Sequence, residues 1–273
     1  MSRRAAKFLS LADAVAENVH NGDQLALEGF THLVPFAAAH EIMRQGRQEL
    51  ALVRMTPDVV YDQLIGLGCA RQLTFSYGGN PGVGSLHRFR DAVENGWPRE
   101  LEVVEHSHAG LAAAYAAGAS RLPFGVLRGY EGTDLLAEND SIAPVESPFT
   151  GERVTAVRPI NPDVAIVHAQ HADRLGNVML WGLAGVQKEA VLAAERAIVT
   201  VEEVVDELEP RPHAVVLPAW VLNAIAVVPD GTWPSYADGY STRDNAFYSE
   251  WDGISRDRDR FTEWMRANVL EKR

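Results

Sequence analysis

Short apolar stretches of strand length alternate along the chain with stretches whose apolar residues recur every three or four positions. The short stretches predict buried strands, because several are apolar on both faces, as strands inside a parallel sheet must be. The periodic stretches predict amphipathic helices. This alternation is typical of the α/β class, in which helices cover an open, mostly parallel sheet.

The predicted elements follow one another in regular order. The first helix has Ser10 where a side-chain oxygen caps free amides, and the second begins at Pro35, where no backbone donor is lost. Strands are expected at residues 24–29, 50–55, 72–77, 101–105, 163–169, 197–201 and 214–217. Helices are expected at residues 10–19, 35–45, 85–95, 109–119 and 186–195.

Two stretches depart from this alternation. Residues 131–162 contain four prolines, which predicts a hairpin or an excursion from the sheet rather than a domain boundary. From residue 241 the pattern becomes that of a charge-rich helix laid on an apolar surface. We therefore expect an α/β domain over residues 1–240 and a helical extension over residues 241–273 packed on it. The anchors of that extension are Trp251, Phe261, Trp264 and Leu270.

Composition and charge narrow the class of protein. The 273 residues are 47% hydrophobic and 23% charged, which is an ordinary folded mixture. Lys and Arg number 25 against 37 Asp and Glu, and the resulting net charge of −12 disfavours nucleic acid or anionic lipid as a partner. No apolar run approaches the length of a membrane span.

Cysteine content and the first residues bear on the compartment. The single cysteine, Cys69, cannot form an intrachain disulfide, and we expect it to be a buried thiol. Arg3 and Arg4 could begin a secretion leader, but Asp13 and Glu17 interrupt the apolar run that would have to follow. We therefore expect a cytoplasmic protein.

Three predicted strand-to-helix corners carry residues suited to binding or catalysis. Residues 28–35 (EGFTHLVP) combine a glycine with the free amides of a helix start, which suits an oxyanion or a carboxylate. Residues 76–85 (SYGGNPGVGS) form a glycine-dense loop of the kind that lines sites at the carboxyl ends of strands. Glu105, in the third corner at residues 105–108 (EHSH), suits a general base or a nucleophile. An ordinary turn at the first corner and a polar helix cap at the third remain open.

Other catalytic signatures do not occur in the sequence. The glycine-dense loop has His87 where a dinucleotide fingerprint needs its third glycine, and there is no P-loop, nucleophile elbow or H-E-x-x-H motif. Glu105, His106 and His108 would not face one metal ion if the strand continues through them. We expect no metal site, and three lysines leave few candidates for Schiff-base chemistry.

Taken together, these segments resemble the α subunit of the class I coenzyme A transferases, most closely the glutaconate CoA-transferase branch. The resemblance runs from about residue 9 to residue 211. The matching stretches are NGDQLALEGFTHLVPFAAAHEI, SYGGNPGVGSLHRFRDAVENG, VEHSHAGLAAAYAAGASRLPF and NPDVAIVHAQHADRLGNV, the last with the specific pattern H-A-x-x-A-D-x-x-G-N. Within this branch the sequence looks closest to the α subunit of the steroid ring-cleaving CoA-ester hydrolases.

The resemblance implies an open sheet with helices on both faces and an active site shared with a homologous β subunit, two copies of each being expected. The substrate would be an acyl-CoA, with no separate cofactor because the substrate carries coenzyme A. In ordinary members a β-subunit glutamate attacks the acyl-CoA carbonyl and passes through an anhydride and a glutamyl-CoA thioester. In the ring-cleaving branch a glutamate of the α subunit does the work, and the match falls on Glu105.

The favoured hypothesis is therefore a hydrolase subunit that opens the last ring of a steroid-derived cyclic keto acyl-CoA in cholesterol catabolism. Glu105 would take a proton from water and later return it to the carbon released by C–C cleavage. The resemblance matches the first corner to a G-G-F motif, with Glu28 in place of its first glycine. Backbone donors for the oxyanion, and the acyl-binding surface, would come from Gly29, Phe30, Thr31, Gly78, Gly79 and Asn80. His32, His106 and Ser107 are candidates for orienting Glu105 or the water.

Two alternatives stay open. The first is the α subunit of a true CoA transferase that works on carboxylic acids of the glutaconate or 3-oxoacid type, in which Glu105 is structural. The second is a regulator that binds CoA esters or sugar phosphates, which the net charge of −12 and the missing helix-turn-helix disfavour. The phosphates of CoA need positive groups, although we expect most arginines near the corners to be solvated. These arginines are Arg54, Arg71, Arg88 and Arg90.

Overall fold

The strands and helices of the chain are taken from a computed structural model that describes residues 7–81 and 84–272. Arg3 and Arg4, which could begin a leader, and Gly82 of the glycine-dense loop lie outside the described residues. The strands are β1 (Lys7–Phe8), β2 (Gln24–Glu28), β3 (Leu50–Arg54), β4 (Ala70–Phe75), β5 (Glu102–Glu105), β6 (Gly125–Leu127), β7 (Ile142–Glu146), β8 (Arg153–Val157), β9 (Val164–Asp173), β10 (Val178–Leu180), β11 (Arg196–Val205), β12 (Val215–Leu217) and β13 (Ala224–Val227).

The helices lie between these strands and after the last of them. They are α1 (Leu11–Asn18), α2 (Phe36–Arg44), α3 (Val59–Gly66), α4 (His87–Asn95), α5 (His108–Ala119), α6 (Leu135–Glu138), α7 (Gln187–Ala193), α8 (Asn245–Arg256) and α9 (Arg258–Met265). A 3₁₀ turn at Ala219–Val221 and a π-helical turn at Arg266–Leu270 complete the set. Within the described ranges, no helix has the length and apolar character that crossing a membrane requires.

The main sheet confirms the predicted open, mostly parallel α/β architecture. Its strands run in the order β1-β13-β11-β9-β2-β3-β4-β5, and every neighbouring pair along this path is parallel. The exception is β10, which pairs antiparallel with β9 and with β12 at one end of the sheet. Because β2 to β5 lie side by side and point the same way, their carboxyl ends share one edge.

A hydrophobic core lies on each face of this sheet. Alternation along β2 sends Leu25 and Leu27 into the core that holds α1, α2 and α3, and Ala26 into the core that holds α5 and α7. All three side chains are fully buried. Burial on both faces explains why the strand reads as a continuous apolar run.

The predicted strands and helices are present, with ends that differ from the expectation by up to four residues. Ser10 caps α1 as expected, because its side chain accepts a hydrogen bond from the Asp13 amide at 3.1 Å. The sequence did not indicate α3, because every residue of that helix is buried and the hydrophobic period is lost. Cys69 is a buried free thiol, as predicted, and burial raises its pKa to about 11.

The irregular stretch between residues 131 and 162 forms a hairpin, as predicted. Strands β7 and β8 pair antiparallel, and β6 completes a small three-stranded sheet on the other side of β8. At its end the chain returns to α5, where the Ile160 amide donates to the Ala114 carbonyl at 3.1 Å.

Helices α8 and α9 pack their aromatic residues on the core that holds α1, α2 and α3. Trp251 and Phe261 are fully buried there, and Trp264 packs against the same cluster, whereas Leu270 is 39% exposed. The Trp251 indole donates to a carboxylate oxygen of Asp62 at 3.0 Å, and burial raises the pKa of Asp62 to about 6. The C-terminal aromatic residues are therefore anchors within this chain.

A substitution in α5 tests how closely that helix packs on the returning chain. A Cβ atom added at Gly118 would lie 2.0 Å from the Ile160 carbonyl oxygen, which is backbone and cannot move aside easily. We expect Gly118→Ala to lower the free energy of unfolding by about 2 kcal/mol or more. Gly253→Ala in α8 is the control, because its Cβ would meet no atom closer than 3.7 Å. Denaturant unfolding should show that the control is neutral or stabilising; a neutral Gly118→Ala would contradict this packing.

Candidate functional site

Loops from the carboxyl ends of β2, β3 and β4 and the start of α5 enclose a cavity of about 230 Å³. The parallel sheet brings the first two predicted corners together there, as expected for an edge of this kind. The third corner contributes His108, an exposed residue that lines the cavity. The lining includes Phe30, Thr31, Asp58, Tyr77, Gly79 and His108.

The loop after β2 makes an unusually tight turn. Thr31 and Leu33 both adopt positive φ angles, of 58° and 54°. A Cβ atom at Gly29 would lie 2.6 Å from the Leu33 carbonyl oxygen, so this position needs glycine. The Ser235 hydroxyl donates to the Thr31 carbonyl at 2.8 Å and holds the far side of the turn.

The glycine-dense loop after β4 is fixed by its neighbours. The Ser76 hydroxyl donates to the Met55 carbonyl at 2.6 Å, and the Gly79 amide donates to the Pro57 carbonyl at 3.2 Å. Asn80 is buried and donates its side-chain amide to the Tyr248 carbonyl at 2.7 Å. Asn80 therefore joins the loop to α8, while Gly78 and Gly79 are half-buried.

Glu105 lies in a different cleft from these loops. It ends the edge strand β5 with its side chain exposed, and its carboxylate makes no hydrogen bond or ion pair with any described residue. The cleft, of about 800 Å³, is also lined by Thr74, Asn139 and Arg158. Leu111 of α5 is buried in the core and does not line this cleft. The structure does not place Glu105 with the predicted oxyanion donors.

The three candidate orienting residues have partners other than Glu105. His32 is fully buried, and its Nε2 accepts a hydrogen bond from the Asp238 amide at 2.9 Å. The ring of His106 is also buried, with Nδ1 3.3 Å from the Tyr130 hydroxyl, and burial lowers the pKa of His106 to about 4.

Ser107 caps α5, because its hydroxyl accepts the Gly110 amide at 3.0 Å. This is the helix-cap alternative for the third corner, carried by the serine rather than by Glu105 or His106. In the structure, the hydrogen-bond partners of His32, His106 and Ser107 are therefore groups other than the Glu105 carboxylate.

Glu28 is a buried ionisable residue that sequence reasoning treated only as a replaced glycine. Its Oε1 accepts the Tyr115 hydroxyl at 2.8 Å and the Met55 amide at 3.2 Å. Burial raises the pKa of Glu28 from 4.5 to about 7, although the Arg54 charge and these hydrogen bonds oppose the shift. The sequence could have indicated this burial, because Glu28 directly follows the apolar residues of a buried strand.

The arginines near the corners divide into two buried and two exposed residues. Arg54 is fully buried between the loop after β2 and the start of α3. Arg88 is 3% exposed and donates to Asp91 at 3.0 Å. For these two the expectation of solvated surface charges is wrong, because each is enclosed by its own carboxylate partner. Arg71 and Arg90 are exposed, as expected.

The raised pKa of Glu28 should make it a pH-dependent source of instability. The native state holds the Glu28 proton to higher pH than the unfolded state, so its contribution to stability is lost as pH rises from 4.5 to about 7. Glu28→Gln has no carboxyl group and therefore does not lose stability in this way. We expect the free energy of unfolding of the variant, minus that of the parent, to be about 3 kcal/mol larger at about pH 8 than at about pH 4.

Denaturant unfolding of both proteins at the two pH values measures this difference. The exposed Glu250→Gln serves as the matched control and should show no pH-dependent difference. If Glu28→Gln differs from the parent in free energy of unfolding by the same amount at both pH values, the pKa of Glu28 in the native state is not raised.

Comparison with known proteins places this geometry in a family. The chain matches the coenzyme A transferase family over residues 8–227. It is 62% identical over 260 residues to a subunit of the 3-oxoadipate CoA-transferase of Pseudomonas knackmussii, covering 95% of this chain and 92% of the relative. It is also 32% identical over 285 residues to a subunit of the glutaconate CoA-transferase of Acidaminococcus fermentans. That match covers 97% of this chain and 88% of the relative.

A solved structure agrees with these sequence matches, and a third relative bears on the hydrolase hypothesis. The crystal structure of glutaconate coenzyme A-transferase from Acidaminococcus fermentans superposes with a TM-score of 0.91 at 31% identity, covering 98% of this chain and 90% of that one. The cholesterol ring-cleaving hydrolase IpdA subunit of Rhodococcus jostii is 29% identical over 260 residues. That match covers 88% of this chain and 84% of the relative.

The expectation of a ring-opening C–C hydrolase of steroid catabolism is wrong. The relative with 62% identity belongs to a transferase, whereas the hydrolase subunit is a distant relative at 29%. The resemblance to the transferase α subunits was correct for the family. The assignment within the family to the ring-cleaving hydrolases was wrong. By its fold and by the match over residues 8–227, this chain belongs to the coenzyme A transferase family.

Proposed function

We propose that this chain is the α subunit of a two-subunit transferase that moves coenzyme A between carboxylic acids, with 3-oxoadipate as a substrate acid. The observation that carries the proposal is the 62% identity to a subunit of a 3-oxoadipate CoA-transferase, maintained over 95% of this chain and 92% of the relative. A β subunit, with two copies of each chain in the assembly, completes the active site.

The cavity at the strand ends supports a division of the site between two chains. The carboxylate among its described lining residues is Asp58, which is 2% exposed and ion-paired with Arg54 at 3.1 Å. A carboxylate held in this way is a poor nucleophile, because attack would break a buried ion pair. The family resemblance implies that a glutamate of the β subunit is the nucleophile, and the cavity offers backbone groups to receive the substrate opposite it.

The proposed reaction exchanges acyl partners on that glutamate. Its carboxylate oxygen attacks the thioester carbonyl and forms an acyl-glutamyl anhydride. The C–S bond breaks at the same carbon, and CoA departs as the thiolate. The thiolate then attacks the glutamyl carbonyl and releases the first acid, and the second acid reverses both steps. Each attack forms a tetrahedral oxyanion, which the backbone amides of Phe30 and Thr31 would stabilise. Glu105 has no role in this scheme.

The activity itself is the first test. This chain, produced together with its β subunit, should form 3-oxoadipyl-CoA from 3-oxoadipate and an acyl-CoA donor such as succinyl-CoA, measured by chromatography of the thioesters. The chain alone should be inactive. Hydrolysis of the donor without transfer to 3-oxoadipate or to other dicarboxylic acids would contradict the proposal.

The covalent intermediate gives a second readout in the same experiment. Borohydride added with acyl-CoA should reduce the glutamyl thioester and change the mass of the β subunit, because that subunit would carry the nucleophile. This chain should keep its mass. A modified glutamate in this chain would show that this chain carries the nucleophile and would contradict the proposal.

Substitution of Glu105 separates the transferase from the hydrolase hypothesis. Because its carboxylate is exposed and bound by no described residue, Glu105→Gln should leave kcat/KM for transfer within about twofold of the parent. Glu102→Gln on the same strand is the control. A loss of about a hundredfold or more in Glu105→Gln alone would show that Glu105 takes part in the reaction.

A further inference from the structure

Arg54 holds a position that ordinary packing does not explain. Its guanidinium is fully buried at the end of β3, where burial of a charge is costly unless the group is well paired. Nη1 and Nη2 donate to the two Asp58 carboxylate oxygens at 3.3 and 3.1 Å, and Nη2 also donates to the Gly29 carbonyl at 2.8 Å. One side chain therefore connects the cap of α3 with the loop after β2.

The bond to Gly29 fixes the plane of the peptide group between Gly29 and Phe30. In a trans peptide the carbonyl and the following amide point in opposite directions. Because Arg54 holds the Gly29 carbonyl toward the protein interior, the Phe30 amide is turned to the opposite side. Phe30 lines the cavity at the strand ends, and its amide donates to no described residue.

Glu28 supports the same peptide from the other end. The Gly29 amide hydrogen-bonds to the Glu28 carboxyl group, while the Gly29 carbonyl accepts from Arg54. Both polar groups of Gly29 are thus used by buried side chains, and the tight turn at Thr31 and Leu33 leaves the loop little freedom. The next amide along the chain, that of Phe30, donates to none of the described residues and belongs to the peptide group that Arg54 fixes.

We propose that Arg54 is a positioning residue for CoA transfer, which holds the Gly29 carbonyl inward so that the Phe30 amide donates to the oxyanion at the reacting carbonyl. This inference rests on the proposed transferase function. As the carboxylate oxygen bonds to the thioester carbon, the carbonyl π electrons move to its oxygen, and they return when the thiolate leaves. A preorganised donor at that oxygen acts mainly on the transition state.

Two variants of Arg54 in the complex with the β subunit test the inference. Arg54→Lys keeps the positive charge but has a single ammonium group in place of the planar fork that reaches Asp58 and Gly29 together. Arg54→Met removes the charge and keeps most of the apolar length. For both we expect kcat for transfer to fall by roughly tenfold to a hundredfold with KM within about twofold, because the lost interaction forms in the transition state.

Arg88→Met is the matched control, because Arg88 is also buried and ion-paired but contacts neither cavity loop. It should lower thermal stability by an amount similar to that of Arg54→Met and leave kcat per folded complex unchanged. Folded complex is quantified by co-purification and thermal unfolding, and Arg54→Lys gives the answer if Arg54→Met does not fold.

The outcomes separate this inference from the proposed function. If the parent complex transfers CoA and a folded Arg54 variant keeps kcat within about twofold, or loses activity only through KM, Arg54 does not position an oxyanion donor. Equal loss of kcat in Arg88→Met would show a general effect of destabilisation and also overturn the inference. Absence of transfer by the parent complex would instead refute the function on which the inference rests.

Discussion

The parallel register of β2, β3, β4 and β5 is the constraint from which the site follows. It brings the carboxyl ends of four strands to one edge, where the loops after β2, β3 and β4 line one cavity. The interiors of β2 and β3 are apolar and buried on both faces, whereas the last residues of these two strands are Glu28 and Arg54. Polar side chains occur at this edge because the ladder ends there and the loops leave backbone groups that need partners.

The segment that identified the family is explained by architecture. Asp173 binds the turn between β9 and β10 through the amides of Leu175 and Asn177, at 2.9 and 2.8 Å. Gln170, two positions before the A-D pair, is fully buried and bonds both ways to the backbone of Trp181. These residues build the antiparallel corner of the sheet, which members with different reactions can share. A signature of this kind therefore identifies the fold and not the chemistry.

Sequence reasoning recovered the sheet and most helices because burial on one or both faces leaves a readable pattern. It could not recover side-chain partners that come from separate elements. Glu105 follows two valines in the sequence, but β5 is an edge strand and leaves that carboxylate exposed. Most arginines near the corners were expected to be solvated because arginines usually lie at the surface, and the hydrogen bond from Arg54 to Gly29 after the neighbouring strand has no trace in local sequence.

The glutamate that replaces a glycine at position 28 bears on how the loop can work. An ionised carboxylate directly before an oxyanion-binding loop would oppose the negative charge that develops there. Burial raises the pKa of Glu28 to about 7, and the attraction of Arg54 acts on the charged form, so the two residues offset each other's charge when Glu28 is ionised. Arg54 in turn is balanced by Asp58, whose pKa burial raises despite that partner. The loop can thus carry an acidic residue at this position because burial favours the uncharged form of Glu28 and Arg54 attracts the charged form.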